Sequence, residues 1–223
     1  MKPDLSTRYL GFELASPIVA SASPVTGDLA TLVRLQEAGV GAVVLPSLFE
    51  EQIEQEELAF TRLHEFGTET FAEALDYLPE LDSYNTGPER YLRSVEEAKS
   101  ALSIPVIASL NGASPGGWVR YAKSIEDAGA DALELNVHQV PTDPRTSGAE
   151  VEAAALELVA AVRAAIRIPL AVKVAHRFSA FAHFGLQLVE SGADGLVLFN
   201  RYLRPDLDLD EMRLVPSLSL SAP

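Results

Sequence analysis

One phrase recurs three times along this chain and restricts its fold more than any other feature. Glu37-Ala38-Gly39-Val40-Gly41-Ala42-Val43-Val44-Leu45, Asp127-Ala128-Gly129-Ala130-Asp131-Ala132-Leu133-Glu134-Leu135 and Glu190-Ser191-Gly192-Ala193-Asp194-Gly195-Leu196-Val197-Leu198 share one plan. Each leaves an amphipathic stretch, passes a Gly and enters a short apolar run. The Gly stands where a helix closes on a left-handed residue. The apolar run suits a strand covered on both faces.

A second junction alternates with the first: Ser16-Pro17-Ile18-Val19-Ala20, Ile104-Pro105-Val106-Ile107-Ala108 and Ile168-Pro169-Leu170-Ala171-Val172. Pro is tolerated at the start of a strand, so each of these opens one. Strands are expected over 18–21, 42–45, 105–109, 132–136, 170–174 and 195–199. Helical spacing fills the gaps. Trp118, Ala122, Ile125 and Ala128 share a face behind Ser114-Pro115, a cap and first-turn pair. Val151, Ala155, Leu158, Val162 and Ile166 form a second stripe, and Phe181, Phe184 and Leu188 a third.

Strand and helix alternate, which means parallel βα units in a barrel or in an open doubly wound sheet. Tandem copies of a two-unit repeat favour the barrel. The turn after the first strand, Ser21 to Gly27, also lacks the Gly-rich fingerprint of a dinucleotide fold. The expected architecture is therefore α/β, a (β/α)8 TIM-barrel type that is incomplete, with about six βα units. It forms one domain over 1–223, with an N-terminal β-hairpin over 1–14 that turns at Leu10-Gly11 and plugs the barrel floor. A long loop after the second strand spans 46–89, and a tail spans 204–223.

Charge and composition exclude several roles. Seventeen basic against 32 acidic residues leave a net charge of −15, which disfavours nucleic acid and anionic membranes as partners. There is no Cys, so disulfides, thiolate metal sites and a Cys nucleophile are excluded. The first residues hold no apolar signal segment, and no apolar run approaches the roughly 20 residues of a membrane span. A cytoplasmic protein is the expectation.

Barrel sites lie at the C-terminal ends of strands. Here those ends carry Ser21 and Ser23, Ser47, Ser109 and Asn111, Asn136 and His138, Lys173 and His176, then Asn200 and Arg201. A ring of amides and hydroxyls with one Lys suits a flat polar ligand. Lys173 interrupts an apolar strand, so a lumenal position requires an anionic or strongly accepting partner. Two other readings of it stay open: an ion pair at the rim, and an amine nucleophile of a Schiff-base aldolase. The long loop reads either as a lid holding Asn85 over the site or as a solvated acidic helix. His176 and His183 show no metal-ligand spacing, and no metal is assigned.

The same residues resemble a known family. Ser16-Pro17-Ile18-Val19-Ala20-Ser21-Ala22-Ser23, Ser47, Asn85-Thr86-Gly87-Pro88, Ser109-Leu110-Asn111-Gly112, Glu134-Leu135-Asn136, Val172-Lys173 and Phe199-Asn200 occur in the order seen in class 1 dihydroorotate dehydrogenases and their relatives. The resemblance implies FMN as cofactor and hydride transfer between flavin and a planar dihydropyrimidine-type substrate, in pyrimidine metabolism. It implies that Ser21, Ala22, Ser23, Ser47, Asn111, Asn136 and Lys173 hold the flavin, and that Asn85, Asn136 and Asn200 hold the substrate. Lys173 would sit near flavin N1 and the C2 carbonyl. Gln139 stands at the family's catalytic base position, and Pro46-Ser47 replaces its Lys-Ser/Thr pair. An amide cannot accept the proton; the neighbouring His138 reads either as the base, acting on a different substrate, or as a His hydrogen-bonded within its loop. The family's last two units, with their phosphate-binding turns, have no counterpart in these residues. A homo-oligomer or a partnership with an electron-transfer subunit is expected; a degenerate, non-catalytic barrel subunit is the alternative.

Overall fold

The computed structural model describes residues 4–49, 87–111, 115–137, 141–200, 204–208 and 212–217. A hairpin comes first, β1 (Thr7–Tyr9) against β2 (Phe12–Leu14). Leu10 and Gly11 turn it, both at positive φ, the geometry that matches the twist of a two-residue hairpin loop. Then follow β3 (Val19–Ala20), a 3-10 turn (Pro24–Gly27), α1 (Leu29–Glu37), β4 (Ala42–Phe49), α2 (Gly87–Ala101) and β5 (Val106–Asn111). The chain continues through α3 (Pro115–Asp127), β6 (Ala132–Val137), α4 (Gly148–Ala165), β7 (Leu170–Val174), α5 (Phe181–Glu190) and β8 (Gly195–Leu198). Residues 204–223, read from sequence as a tail, contain a second hairpin, β9 (Arg204–Asp208) with β10 (Arg213–Ser217).

The six strands β3 to β8 pair in parallel and in simple sequence order. That order decides between barrel and doubly wound sheet. In a doubly wound sheet the order reverses and helices cover both faces. With right-handed crossovers that always step the same way, all the helices fall on one face. The other face is left to line a lumen. β3 and β8 stand at the two ends of the order and do not pair with each other, so the sheet forms the arc of an incomplete (β/α)8 barrel.

Two apolar clusters occupy the two faces. Val43, Leu45, Val106, Ala108, Leu133, Leu135, Leu170 and Val172 pack outward against Val95, Ile125, Val159, Val162, Phe184 and Leu188 of the helices. Ala42, Val44, Ile107, Ala132 and Ala171 point the other way and meet Leu10 and Leu14 of the hairpin. Alternate residues of each strand thus separate the two cores. Gly195 lets the hairpin in: a Cβ there would lie 2.9 Å from Leu10 Cδ2.

The sequence repeat reappears as a repeat of hydrogen bonds. Asp131 Oδ2 accepts from the Val106 amide at 2.7 Å and pairs with Lys99. One repeat later Asp194 Oδ2 accepts from the Leu170 amide at 2.8 Å and pairs with Arg163. Gln36 Oε1 accepts from the amides of Ser103 and Ile104, and Glu126 Oε1 from those of Arg167 and Ile168. Each side chain satisfies backbone donors at, or just before, the start of β5 or β7. Gly39, Gly129 and Gly192 all take positive φ, as the repeat requires.

Two outcomes follow for stability. Ala at Gly39 or Gly129 meets no atom within 4 Å and bears only the left-handed penalty, about 1 kcal/mol. Ala at Gly192 also meets Arg163 Cγ at 2.4 Å, so Gly192→Ala lowers the urea midpoint most; equal losses at the three sites would contradict the repeat's packing. The Lys123 ion pair and the two accepted amides hold the Glu126 carboxyl down from its usual 4.5 to about 2. Its contribution is complete above the unfolded value and is lost as pH falls from about 4.5 to 2. Acid titration of stability should therefore be shallower in Glu126→Gln than in the parent across that window.

Candidate functional site

The lumen is apolar at its floor and becomes polar one layer up. The same faces that carry Ile107, Ala132 and Ala171 continue to Ser109, Glu134 and Lys173. Among the described residues Glu134 and Lys173 are the only buried charges, 3% and 8% exposed. Lys173 Nζ donates to Glu134 Oε1 at 2.9 Å. The accepting partner that the sequence required of Lys173 is thus a side chain of the protein itself. The ion pair of the rim reading is present, but with a covered partner on the lumenal face in place of one at the rim. Removing one member of such a pair costs about 3–5 kcal/mol because the other charge stays buried. The Tyr9 phenol, from the hairpin, is pushed up to about 12 by its burial and then by the Glu134 charge. It therefore remains neutral below the pair.

A bulge brings Ser47 into this layer. Val44 pairs with Ile107 and Ser47 with Ser109, so β4 uses one more residue than β5 over that interval. The extra residue falls at Leu45-Pro46, and Pro has no amide hydrogen for the ladder. Without it Ser47 would share the outward face of Leu45. With it, Ser47 Oγ lies 2.7 Å from Ser109 Oγ. The Tyr91 hydroxyl of α2 enters the gap, accepting from the Ser109 amide at 2.8 Å and donating to the Ser109 carbonyl at 3.0 Å. Burial pushes this phenol well above its usual range, so it stays a donor.

The mouth of the lumen is built from amides. Asn136 is level with Lys173 in the β6–β7 register. Asn200 follows β8, anchored by its own amide to the Val174 carbonyl at 2.9 Å. Its side-chain amide donates to the side-chain oxygen Oδ1 of Asn136. Asn111 ends β5, half-buried and on the same face as Ser109. Ala22 packs beside the lumenal cluster, whereas Ser21 is exposed and Ser23 is engaged in the 3-10 turn with Thr26. The geometry therefore gathers Asn136, Asn200 and Lys173, joins Ser47 to Ser109 beside them, and leaves Ser21 and Ser23 peripheral. Asn85 and His138, and the lid reading of 46–89 over residues 50–86, lie outside the described residues.

Glu134 and Tyr91 are the residues that sequence reading left without a role. A signal for Glu134 existed: it shares the period-two face of Asn136 in an apolar strand, and one buried charge requires another. Nothing local marks Tyr91, because its role depends on a bulge in a distant strand. The donor set suits a flat heterocycle. Two amides, a hydroxyl pair and an ammonium offer both donors and acceptors to a ring edge of carbonyls and ring nitrogens. No group of three or more His, Asp or Glu side chains able to hold a metal occurs among the described residues, nor does a helix long and apolar enough to cross a membrane.

No family model matches the chain. A protein of Aeropyrum pernix bearing a dihydroorotate dehydrogenase A (fumarate) name is 28% identical over 213 residues, 93% of this chain and 65% of that protein. The dihydroorotate dehydrogenase B (NAD(+)) catalytic subunit of Methanocella arvoryzae is 28% identical over 90% of this chain and 63% of its own length. The corresponding subunit of Bacillus thuringiensis is 30% identical over 128 residues, 56% of this chain and 41% of that one. The chain spans less than two thirds of the length of these curated relatives. Among solved structures, an IMP dehydrogenase/GMP reductase-like protein from Corynebacterium glutamicum superposes with a TM-score of 0.52 at 14% identity, covering 90% of this chain and 49% of that one. A phosphonopyruvate hydrolase gives 0.50 at 18% identity, covering 82% and 58%. Both speak to the barrel fold alone. Over nine tenths of its length the chain is similar to the Aeropyrum and Methanocella dihydroorotate dehydrogenases, and it is built on six units of an incomplete (β/α)8 barrel.

Proposed function

We propose that the chain is the catalytic part of an FMN-dependent oxidoreductase that acts on the CH–CH bond of a planar dihydropyrimidine-type substrate. The observation that carries this reading is the meeting of two hydrogen-bonded polar pairs on the lumenal face of β6 to β8, Asn136 with Asn200 and Lys173 with Glu134. FMN, when bound, supplies the hydride acceptor. Lys173, Asn136 and the Ser47–Ser109 pair are the groups proposed to hold its ring, with Asn111, Ala22 and the main chain at Ser21 and Ser23 alongside. Asn85, Asn136 and Asn200 are proposed to hold the substrate edge. The floor hairpin and the apolar layer beneath the ion pair exclude water from below. The relatives reported above are all named as dihydroorotate dehydrogenases, which supports this reading over the Schiff-base alternative. The Methanocella relative is named as a catalytic subunit, which supports an electron-transfer partner.

Added FMN should lose its fluorescence saturably on mixing with this chain, and Asn136→Ala should weaken the interaction by about tenfold. Flavin emission that does not respond to the protein would remove the reading. For the proton, the proposed base is His138, beside an amide at Gln139 that cannot accept it. In a preparation that reduces flavin with dihydroorotate, His138→Gln should abolish reduction while leaving FMN affinity intact; undiminished reduction would assign the base elsewhere.

A further inference from the structure

Glu134 has no part in the roles above, yet it forms with Lys173 the only buried charge pair among the described residues. In the β6–β7 register Asn136 is level with Lys173, and Glu134 is level with Ala171. The ion pair therefore runs diagonally between neighbouring strands, and its carboxylate stands one lumenal residue closer to the floor than the amide layer. That geometry ties the ammonium to an acid of the neighbouring strand, one lumenal residue below Asn136 in register. The groups around the carboxylate add no compensating charge, since the Tyr9 and Tyr91 phenols are both pushed upward by burial and by Glu134 itself. With one charge of each sign 2.9 Å apart, the pair as a whole is neutral.

We infer that Glu134 is the positioning residue for Lys173, and that the two act as one electroneutral unit. This unit offers a lumenal ligand the remaining hydrogen-bond donors of the ammonium without a net positive charge. The chemistry it selects is a neutral acceptor edge, such as a ring carbonyl or an imine nitrogen, in preference to a carboxylate or phosphate. A bare Lys at the same place would select the reverse, because an uncompensated cation in a covered site binds anions most strongly. The inference takes the identity of the ring from the flavin reading, whereas the pairing stands without it.

The test uses the whole chain and an amine-directed reagent, trinitrobenzenesulfonate, with labelling at Lys99, Lys123 and Lys173 followed separately by peptide mass spectrometry. Glu134→Gln should label at Lys173 about tenfold faster than the parent, and Glu134→Asp, which keeps the charge, should restore most of the protection. Lys99 and Lys123 should not change, and they report any general opening of the fold. Riboflavin, which has the ring and no phosphate, should protect Lys173 in the parent, whereas inorganic phosphate should protect it only in Glu134→Gln. Lys173 labelling indifferent to Glu134→Gln, with riboflavin still protecting, overturns the inference and leaves the flavin reading intact. Glu134-dependent labelling without riboflavin protection does the opposite. If Glu134→Gln exposes all three lysines together, the parent decides: phosphate protecting as well as riboflavin overturns the electroneutral unit.

Discussion

Six parallel strands that pair in sequence order leave one face of the sheet free of helices, and the lumenal chemistry of this protein depends on that asymmetry. A crossover that always steps the same way, with the same hand, puts every helix outside. Period-two alternation then sends every second residue of each strand inward. Ala132, Glu134 and Asn136 form one such column, and Ala171 and Lys173 another. Read upward, the β6 column changes from apolar to charged to amide, and Lys173 of β7 stands level with that amide. The layering follows from strand register, with no help from loop conformation.

The charged layer is the costly one. A lone Lys or Glu at these depths would lose its hydration with nothing in return. Paired, the two residues need each other, and the register that brings them together also aligns Asn136 with Lys173. A slip of one residue between β6 and β7 would turn Lys173 onto the helix-packed face, where no acid awaits it. The pair therefore penalises alternative registers and shapes the site at once. The hairpin beneath it covers the floor of the lumen with Leu10 and Leu14.

Much of this was legible along the chain. Gly39, Gly129 and Gly192 marked helix ends because only their backbone freely accepts positive φ, and the Pro-led junctions marked strand starts. The hairpin was legible from Leu10-Gly11, and the asparagines stood out at strand ends. Less legible were features whose cause lies between distant segments. The bulge at Leu45-Pro46 shows only in its pairing with β5, and it turns Ser47 inward. Tyr91 is needed only because that bulge interrupts the ladder at Ser109. The antiparallel pairing of β9 with β10 joins a Pro-containing acidic run to an apolar one, a match that neither stretch announces alone.

The amino-acid sequence by itself determined the alternation of strands and helices, the repeat, and the class of ligand the strand ends suit. These are local properties: backbone torsions, periodicity and side-chain type. Tertiary structure alone decided that Lys173 faces Glu134 rather than a ligand anion, that Ser47 joins Ser109, and that Asn200 reaches Asn136. Each of these joins residues on different strands. The interaction depends on register and on burial, and neither quantity exists until the sheet has formed.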